Sequence, residues 1–128
     1  MQNRCISQFY WFGHPGIDVA IPNGTPVVAS DRGTVTWSGW AAGGYFDYGI
    51  LVVMNHGNGH ETFYAHLSEV AVFPGQTVEQ GQIVGYSGNT GRSSGPHLHF
   101  EIRLNNGRVS PFWGGYLTPQ YRDCTGNF

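Results

Sequence analysis

Lysine is absent from this chain, and charged side chains of any kind are few. All six basic residues are arginines, charged residues make up 11% of the sequence, and the formal net charge at pH 7 is -2. Binding to the phosphates of a nucleic acid requires clustered positive charge, which this composition does not supply. We therefore expect no nucleic-acid partner.

The sequence also lacks a long apolar run. No stretch approaches the roughly 20 apolar residues that a membrane-spanning helix requires, and no charged-then-apolar leader opens the chain. We expect no membrane span, and the localisation has to be inferred from the function.

Cysteine is scarce, with Cys5 and Cys124 close to opposite ends of the chain. They are either two separate buried thiols or a disulfide that ties the ends together, an arrangement typical of exported proteins. Neither lies close in sequence to the histidines discussed below, so we predict neither as a nucleophile or a metal ligand.

Glycine and aromatic residues are abundant, with 20 Gly, 7 Pro and 15% aromatic residues. Turn signals recur about every eight to twelve residues, which is typical of an all-β domain. The β-rich runs between them predict strands at 26–30, 33–38, 50–55, 61–67, 82–86 and 97–104, and residues 68–73 are the one candidate for a short helical turn. We predict a single antiparallel all-β domain over residues 1–128.

Two segments far apart in the sequence carry metal-binding residue types. His97 and His99 are one residue apart in GPHLHFE, and the earlier segment HPGID supplies His14 and Asp18. Zinc in hydrolytic enzymes takes three protein ligands, drawn from imidazole nitrogens and carboxylate oxygens, and leaves one position open. A metal so held lowers the pKa of its water and polarises a substrate carbonyl, so hydrolysis is the first interpretation.

Strand alternation places the polar residues of the second segment together. On an extended strand His97, His99 and Glu101 emerge on one face, and the apolar residues between and after them emerge on the other. Glu101 is then either a carboxylate that orients a ligand imidazole or half of a surface ion pair with a nearby arginine.

Three further histidines need an interpretation. His56 and His60 have the His-x-x-x-His spacing of helical metal sites, but the glycines between them rule out a helix, so we interpret both as solvent-facing turn residues. Alternation places His66 on the same face as Tyr64. From the residues alone, His66 is a cross-strand packing partner.

The segment 38–48, SGWAAGGYFDY, is rich in glycine and aromatic residues. In a hydrolase it would form one wall of the substrate groove, with Asp47 as a contact for a substrate amine or amide. The alternative is an ordinary hairpin loop packed on its own aromatic side chains.

The order of six motifs is specific to one family. GHPGID, GTPV, YAHLS, GQ, GQIVG and GPHLHFE, spread over residues 13–111, resemble those of the M23 (LytM/lysostaphin-type) zinc metallopeptidases. The resemblance implies a curved antiparallel β-sheet with a substrate groove walled by loops. It also implies a zinc ion held by His14, Asp18 and His99, with His66 and His97 as the catalytic histidines.

The resemblance further implies an exported endopeptidase that uses Zn2+ to cut peptide bonds of bacterial peptidoglycan. We accordingly expect peptidoglycan peptides as partners, a monomer, and an extracellular, periplasmic or cell-wall location. One departure, RSSG at 92–95 where members often have Ser-Thr-Gly, leaves the ligands untouched. The alternative is a catalytically inactive LytM-type module that binds peptidoglycan or a partner, but such members lose ligands, and all five positions are present here.

Two other classes fit less well. The segments VFPGQTV and EQGQIVG are similar to those of biotinyl or lipoyl carrier domains, which need an attachment lysine that this chain lacks. A glycosidase needs a pair of carboxylates, and the acidic residues here are scattered without a motif that pairs them.

Overall fold

The architecture is an open β-sheet, seen in a computed structural model that describes residues 4–8, 17–57, 59–93, 95–104, 107–109 and 121–123. The strands are β1 (Arg4–Gln8), β2 (Ile17–Ala20), β3 (Pro26–Val28), β4 (Gly33–Trp40), β5 (Ile50–Gly57), β6 (His60–Val70), β7 (Thr77–Val78), β8 (Ile83–Ser87), β9 (Leu98–Leu104), β10 (Gly107–Val109) and β11 (Tyr121–Asp123). A 3-10 helix spans Gly43–Tyr48.

The strand order is β11-β1-β2-β9-β6-β5-β4-β7, with β10 beside β9, β8 beside β6, and β3 beside β8. Neighbouring strands are antiparallel except for β1 and β11, which pair in parallel. The predicted antiparallel all-β fold is confirmed, and each predicted strand run corresponds to an observed strand. None of the described segments forms a helix of the length and apolarity needed to cross a membrane.

The predicted helical turn at 68–73 is wrong. β6 continues to Val70, because its last residues pair with β8, where Glu69 lies opposite Tyr86 and Val70 opposite Gly85. This pairing engages the backbone of the segment in the sheet. The helical segment lies instead in the aromatic stretch that was predicted as a groove wall.

The main core lies on one face of the sheet. Its members are Val19, Ile21, Val27, Ala29, Val35, Val52, Met54, Tyr64, Leu67, Val72, Val78, Val84, Leu98, Phe100 and Ile102, all buried. In β9 they alternate with polar residues, as predicted, so Leu98, Phe100 and Ile102 face the core while His99 and Glu101 face away from it.

A smaller apolar cluster covers the centre of the opposite face. Its buried members are Ala41, Leu51, Val53, Phe63 and Ala65, and Tyr48 packs against them. The central strands are therefore buried on both faces, and the polar residues of β9 emerge beside the smaller cluster. That face carries the candidate site.

Candidate active site

Asp18 and His99 are 81 positions apart in sequence and meet across two neighbouring strands. β2 and β9 are antiparallel, and their register places Asp18 directly opposite His99. Directly opposed residues of an antiparallel pair project from the same face. The Oδ1 atom of Asp18 lies 2.8 Å from Nδ1 of His99, and the two side chains are 15% and 9% exposed.

His97 lies beside this pair in a fixed orientation. Its backbone forms an isolated bridge with Gly88, and its ring donates from Nδ1 to the carbonyl of Gly95 over 2.8 Å. Because a carbonyl only accepts, Nδ1 carries the proton, and Nε2 of the neutral ring holds a lone pair. That Nε2 lies 3.7 Å from Asp18 Oδ1.

His66 joins the same cluster, which the alternation pattern did not predict. Its ring centroid lies 4.7 Å from that of His97 and 6.1 Å from that of His99. Tyr64 and Leu67 belong to the main core, whereas His66 lies beside His99, which faces away from that core. The prediction that His66 shares the face of Tyr64 is therefore wrong.

The cause is a local break in β6. His66 has a φ of 61°, the only positive φ of a non-glycine residue in the part of the chain that the structure describes, and the pairing with β5 shifts register between Tyr64 and Leu67. A left-handed conformation is unfavourable for a residue with a Cβ atom. Here this conformation turns the imidazole of His66 away from the core and toward the site. Strained backbone conformations are often found at functional sites.

The loop after β8 orients His66. Nδ1 of His66 donates to the carbonyl of Thr90 over 2.7 Å, which leaves a lone pair on Nε2 of the neutral ring. The Thr90 hydroxyl in turn donates to the Leu67 carbonyl at 2.5 Å and accepts from the Ile50 amide at 3.0 Å. Burial lowers the pKa of His66, and the Thr90 carbonyl opposes that shift only in part.

Glycine permits the close approach of this loop to the 3-10 helix. A Cβ atom on Gly91, which has a φ of 76°, would lie 2.6 Å from the Asp47 carbonyl oxygen. The Arg92 amide donates to the same carbonyl over 2.9 Å. The loop after β8, whose Thr90 contacts His66, and the 3-10 helix therefore pack backbone against backbone.

A buried polar network lies behind His99. Nε2 of His99 is 3.0 Å from Oε1 of Glu101, which also accepts a hydrogen bond from the Tyr48 hydroxyl. Nε of Arg103 donates to Oε2 of Glu101 over 2.9 Å, and the Arg103 guanidinium lies 4.2 Å from the Phe63 ring centroid. Glu101 thus contacts the imidazole and pairs with an arginine, but its side chain is 0% exposed, so the alternative of an ion pair on the surface is wrong. Its role in orienting a ligand imidazole stays a prediction.

The charges in this network reinforce one another. Burial disfavours the protonated form of His99, but the hydrogen bonds and charges of Asp18 and Glu101 raise its pKa to about 9. Burial likewise opposes ionisation of Glu101, yet His99, Tyr48 and Arg103 lower its pKa overall. Burial and the adjacent carboxylate raise the pKa of Tyr48 to about 12, so its hydroxyl remains a donor.

His56 has a structural role, and the prediction that it faces solvent is wrong. Its Nδ1 donates to the Arg32 carbonyl over 2.8 Å, and its Nε2 lies 2.7 Å from Oγ1 of Thr62. The ring is half-buried and connects a turn to β6. His56 therefore lies apart from the histidine cluster.

A cavity of about 580 Å³ lies on the same face of the sheet as His99. Its lining includes Ala41, Ala42, Gly43, Phe63 and Arg103. The segment that leads into the 3-10 helix therefore forms part of a cavity wall. Asp47 in that helix is exposed, with a carboxylate oxygen 3.9 Å from the Arg92 guanidinium.

Asp18 and His99 present donors that suit zinc, a carboxylate oxygen and an imidazole nitrogen. Donors on one tetrahedral zinc ion lie about 3.3 Å apart, so their 2.8 Å separation needs to open only slightly. Among the described side chains, no three His, Cys, Asp or Glu residues are arranged as a metal site. His14, the third predicted ligand, and Cys124 lie outside the described residues. The two described donors fit a zinc site that needs a third ligand.

Comparison with known proteins places the chain among peptidases. The profile of Peptidase family M23 matches residues 12–111. Peptidoglycan DD-endopeptidase ShyA of Vibrio cholerae is 50% identical over 91 residues, which cover 70% of this chain and 20% of ShyA. The chain spans about a quarter or less of the length of curated relatives such as ShyA.

Solved structures agree with this placement. The catalytic domain of the antimicrobial peptidase lysostaphin from Staphylococcus simulans matches with a TM-score of 0.71 and 32% identity, covering 87% of this chain and 86% of that domain. A zinc-containing peptidase from Vibrio cholerae matches with a TM-score of 0.75 and 34% identity, covering 84% of this chain and 35% of that one.

Proposed function

This chain belongs to peptidase family M23, and we propose that it is a zinc-dependent endopeptidase that hydrolyses peptide bonds of bacterial peptidoglycan. The observation that carries the proposal is the convergence of Asp18, His66, His97 and His99 on one face of the sheet. The peptidoglycan substrate is supported by the similarity to ShyA, whose name specifies a peptidoglycan DD-endopeptidase.

We assign the zinc ligands as His14, Asp18 and His99. Asp18 and His99 support this assignment because they face one another from adjacent strands with their donor atoms 2.8 Å apart. Zinc, when bound there, polarises the scissile carbonyl and lowers the pKa of the attacking water. The similarity to a zinc-containing peptidase is consistent with that choice of metal.

We assign proton transfer to His66 and His97. Each ring has its Nδ1 proton committed to a backbone carbonyl, so each neutral ring offers the lone pair of Nε2. One ring accepts the proton of the attacking water on Nε2 and passes it to the leaving amine nitrogen as the C–N bond breaks. The second ring stabilises the charge that develops on the carbonyl oxygen when it carries a proton on Nε2 as well as on Nδ1, because it then donates a hydrogen bond to that oxygen.

We also propose that the domain works as a monomer and outside the cytoplasm, in the periplasm, at the cell wall or in the medium. The reason is the substrate, since peptidoglycan lies outside the cytoplasmic membrane.

Mass spectrometry of fragments released from defined cross-linked muropeptides tests the proposal. The zinc-loaded chain should release fragments with a new amino and a new carboxyl terminus, and a chelator should abolish their release until zinc is restored. Single changes of His66 or His97 to Ala should abolish cleavage with zinc still bound, and Glu69→Gln, at an exposed carboxylate, should cleave normally. Muropeptide binding by the zinc-loaded chain without any cleavage would contradict the proposal and favour an inactive binding module.

A further inference from the structure

Glu101 is a fully buried carboxylate beside His99. Its side chain is 0% exposed, and its two carboxylate oxygens contact three different side chains. We propose that Glu101 is a positioning residue, which holds the His99 imidazole with Nε2 against the carboxylate and Nδ1 toward the cation. This inference rests on the proposed zinc site.

The ring geometry carries the argument. The two nitrogens of His99 point to two different carboxylates, with Nδ1 at 2.8 Å from Asp18 and Nε2 at 3.0 Å from Glu101. A carboxylate buried in this way only accepts, so Nε2 must carry a proton. Nδ1 likewise faces a carboxylate, so without a metal the ring carries both protons. A cation bound between Asp18 and His99 would take the place of the Nδ1 proton and leave the Nε2 proton hydrogen-bonded to Glu101.

The carboxylate itself is held in place from two sides. The Tyr48 hydroxyl donates to the oxygen that faces His99, and Nε of Arg103 donates to the other oxygen over 2.9 Å. Arg103 is only 8% exposed and lies over the Phe63 ring. Glu101 thus has little freedom to rotate away from the imidazole.

An ion pair with Arg103 alone does not account for this arrangement. Oε2 accepts the hydrogen bond from Nε of Arg103, while Oε1 contacts Nε2 of His99 and the Tyr48 hydroxyl. A carboxylate that accepts from the distal nitrogen of a metal-binding imidazole fixes its tautomer and increases its basicity, and its loss typically weakens metal binding by about 10- to 100-fold.

Nitrogen NMR of the zinc-loaded wild-type chain, labelled with 15N-histidine, tests the ring orientation without a mutation. The proposal predicts that His99 binds through Nδ1 and retains a slowly exchanging proton on Nε2. A His99 ring that binds zinc through Nε2, or whose Nε2 proton exchanges as fast as in free histidine, would overturn it.

Zinc affinity of the Glu101→Gln variant, measured by competition with a chromogenic chelator, tests the role of the charge. We expect a zinc Kd about 10- to 100-fold higher than in the wild type. The matched control Glu69→Gln removes an exposed carboxylate elsewhere on β6 and should leave the Kd unchanged. Tyr48→Phe, which removes one donor to Glu101 and keeps the ring, should raise the Kd by a smaller factor.

The outcomes separate this inference from the proposed function. A folded Glu101→Gln variant with wild-type zinc affinity would overturn the positioning role and leave the zinc site intact. A wild-type chain with no zinc affinity would overturn both.

Discussion

The imidazole of His66 donates from Nδ1 to the backbone carbonyl of Thr90 over 2.7 Å, across 24 positions of sequence. This bond connects the strained residue of β6 to the loop that follows β8. It fixes which nitrogen of His66 faces the site, and it makes the position of that nitrogen depend on how the loop is anchored.

Thr90→Val should therefore lower both stability and turnover. Valine has nearly the same shape but loses the hydrogen bonds to the Leu67 carbonyl and the Ile50 amide. Leaving buried polar groups unpaired costs about 1–3 kcal/mol, and the Thr90 carbonyl is then less firmly held against His66. Denaturant unfolding and kcat measure the two effects. Thr90→Ser, which keeps the hydroxyl, should be close to wild type, and equal losses in the two variants would contradict the account.

Replacement of His66 should show the strain in its backbone. In an ordinary strand, alanine is more stable than glycine by about 0.5–1 kcal/mol. The φ of 61° reverses this order, because a left-handed conformation with a Cβ atom costs about 1–2 kcal/mol. Both variants lack the imidazole and should be inactive, but His66→Gly should unfold at a higher denaturant concentration than His66→Ala. A lower unfolding midpoint for His66→Gly than for His66→Ala would mean that the backbone at residue 66 is not strained.

This strained residue also marks where sequence reasoning failed. β9 could be predicted closely, because Leu98, Phe100 and Ile102 alternate with polar residues and only one face is apolar. In β6, a single left-handed residue reverses the face of His66, and nothing in the pattern of side chains indicates it. The catalytic role that we propose for His66 came only from the family resemblance.

Other parts of the site depend on tertiary contacts that local patterns do not encode. β2 has only four residues, and its register with β9 joins Asp18 to a residue 81 positions away. Tyr48 lies in a segment predicted as a wall, but its contact with Glu101 depends on how the 3-10 helix packs on Phe63. The acceptor that orients His66 is the backbone carbonyl of Thr90, and a backbone acceptor leaves no signal in the identity of the residue.

Activity should persist at mildly acidic pH. Burial lowers the pKa of His66 below its ordinary value of 6.5. The neutral ring, with a lone pair on Nε2, therefore remains the main form at pH 6.5. The unfolded chain takes up a proton at this histidine as the pH falls below about 6.5, so stability should decline from there. Turnover should decline only at the lower pH at which the folded ring takes up its proton. An NMR titration of His66 should show a midpoint below 6.5, and a midpoint above 7 would contradict the account.

The exposed aromatic side chain of the 3-10 helix should affect substrate binding only. Phe46 is 70% exposed and lies two residues before Tyr48, in the segment next to the cavity. Phe46→Ala should change the free energy of unfolding by less than about 0.5 kcal/mol, as is usual for surface positions. KM for a cross-linked muropeptide should rise while kcat stays the same, as expected for a contact made equally in ground and transition states. An unchanged KM would exclude a substrate contact at Phe46.

Crystals of the zinc-loaded chain, measured on both sides of the zinc absorption edge, test the central claim most directly. The account predicts one anomalous peak, bonded to Oδ1 of Asp18, Nδ1 of His99 and the imidazole of His14, with His66 and His97 beside it and unbound. A zinc-saturated crystal without a peak between Asp18 and His99 would contradict the account.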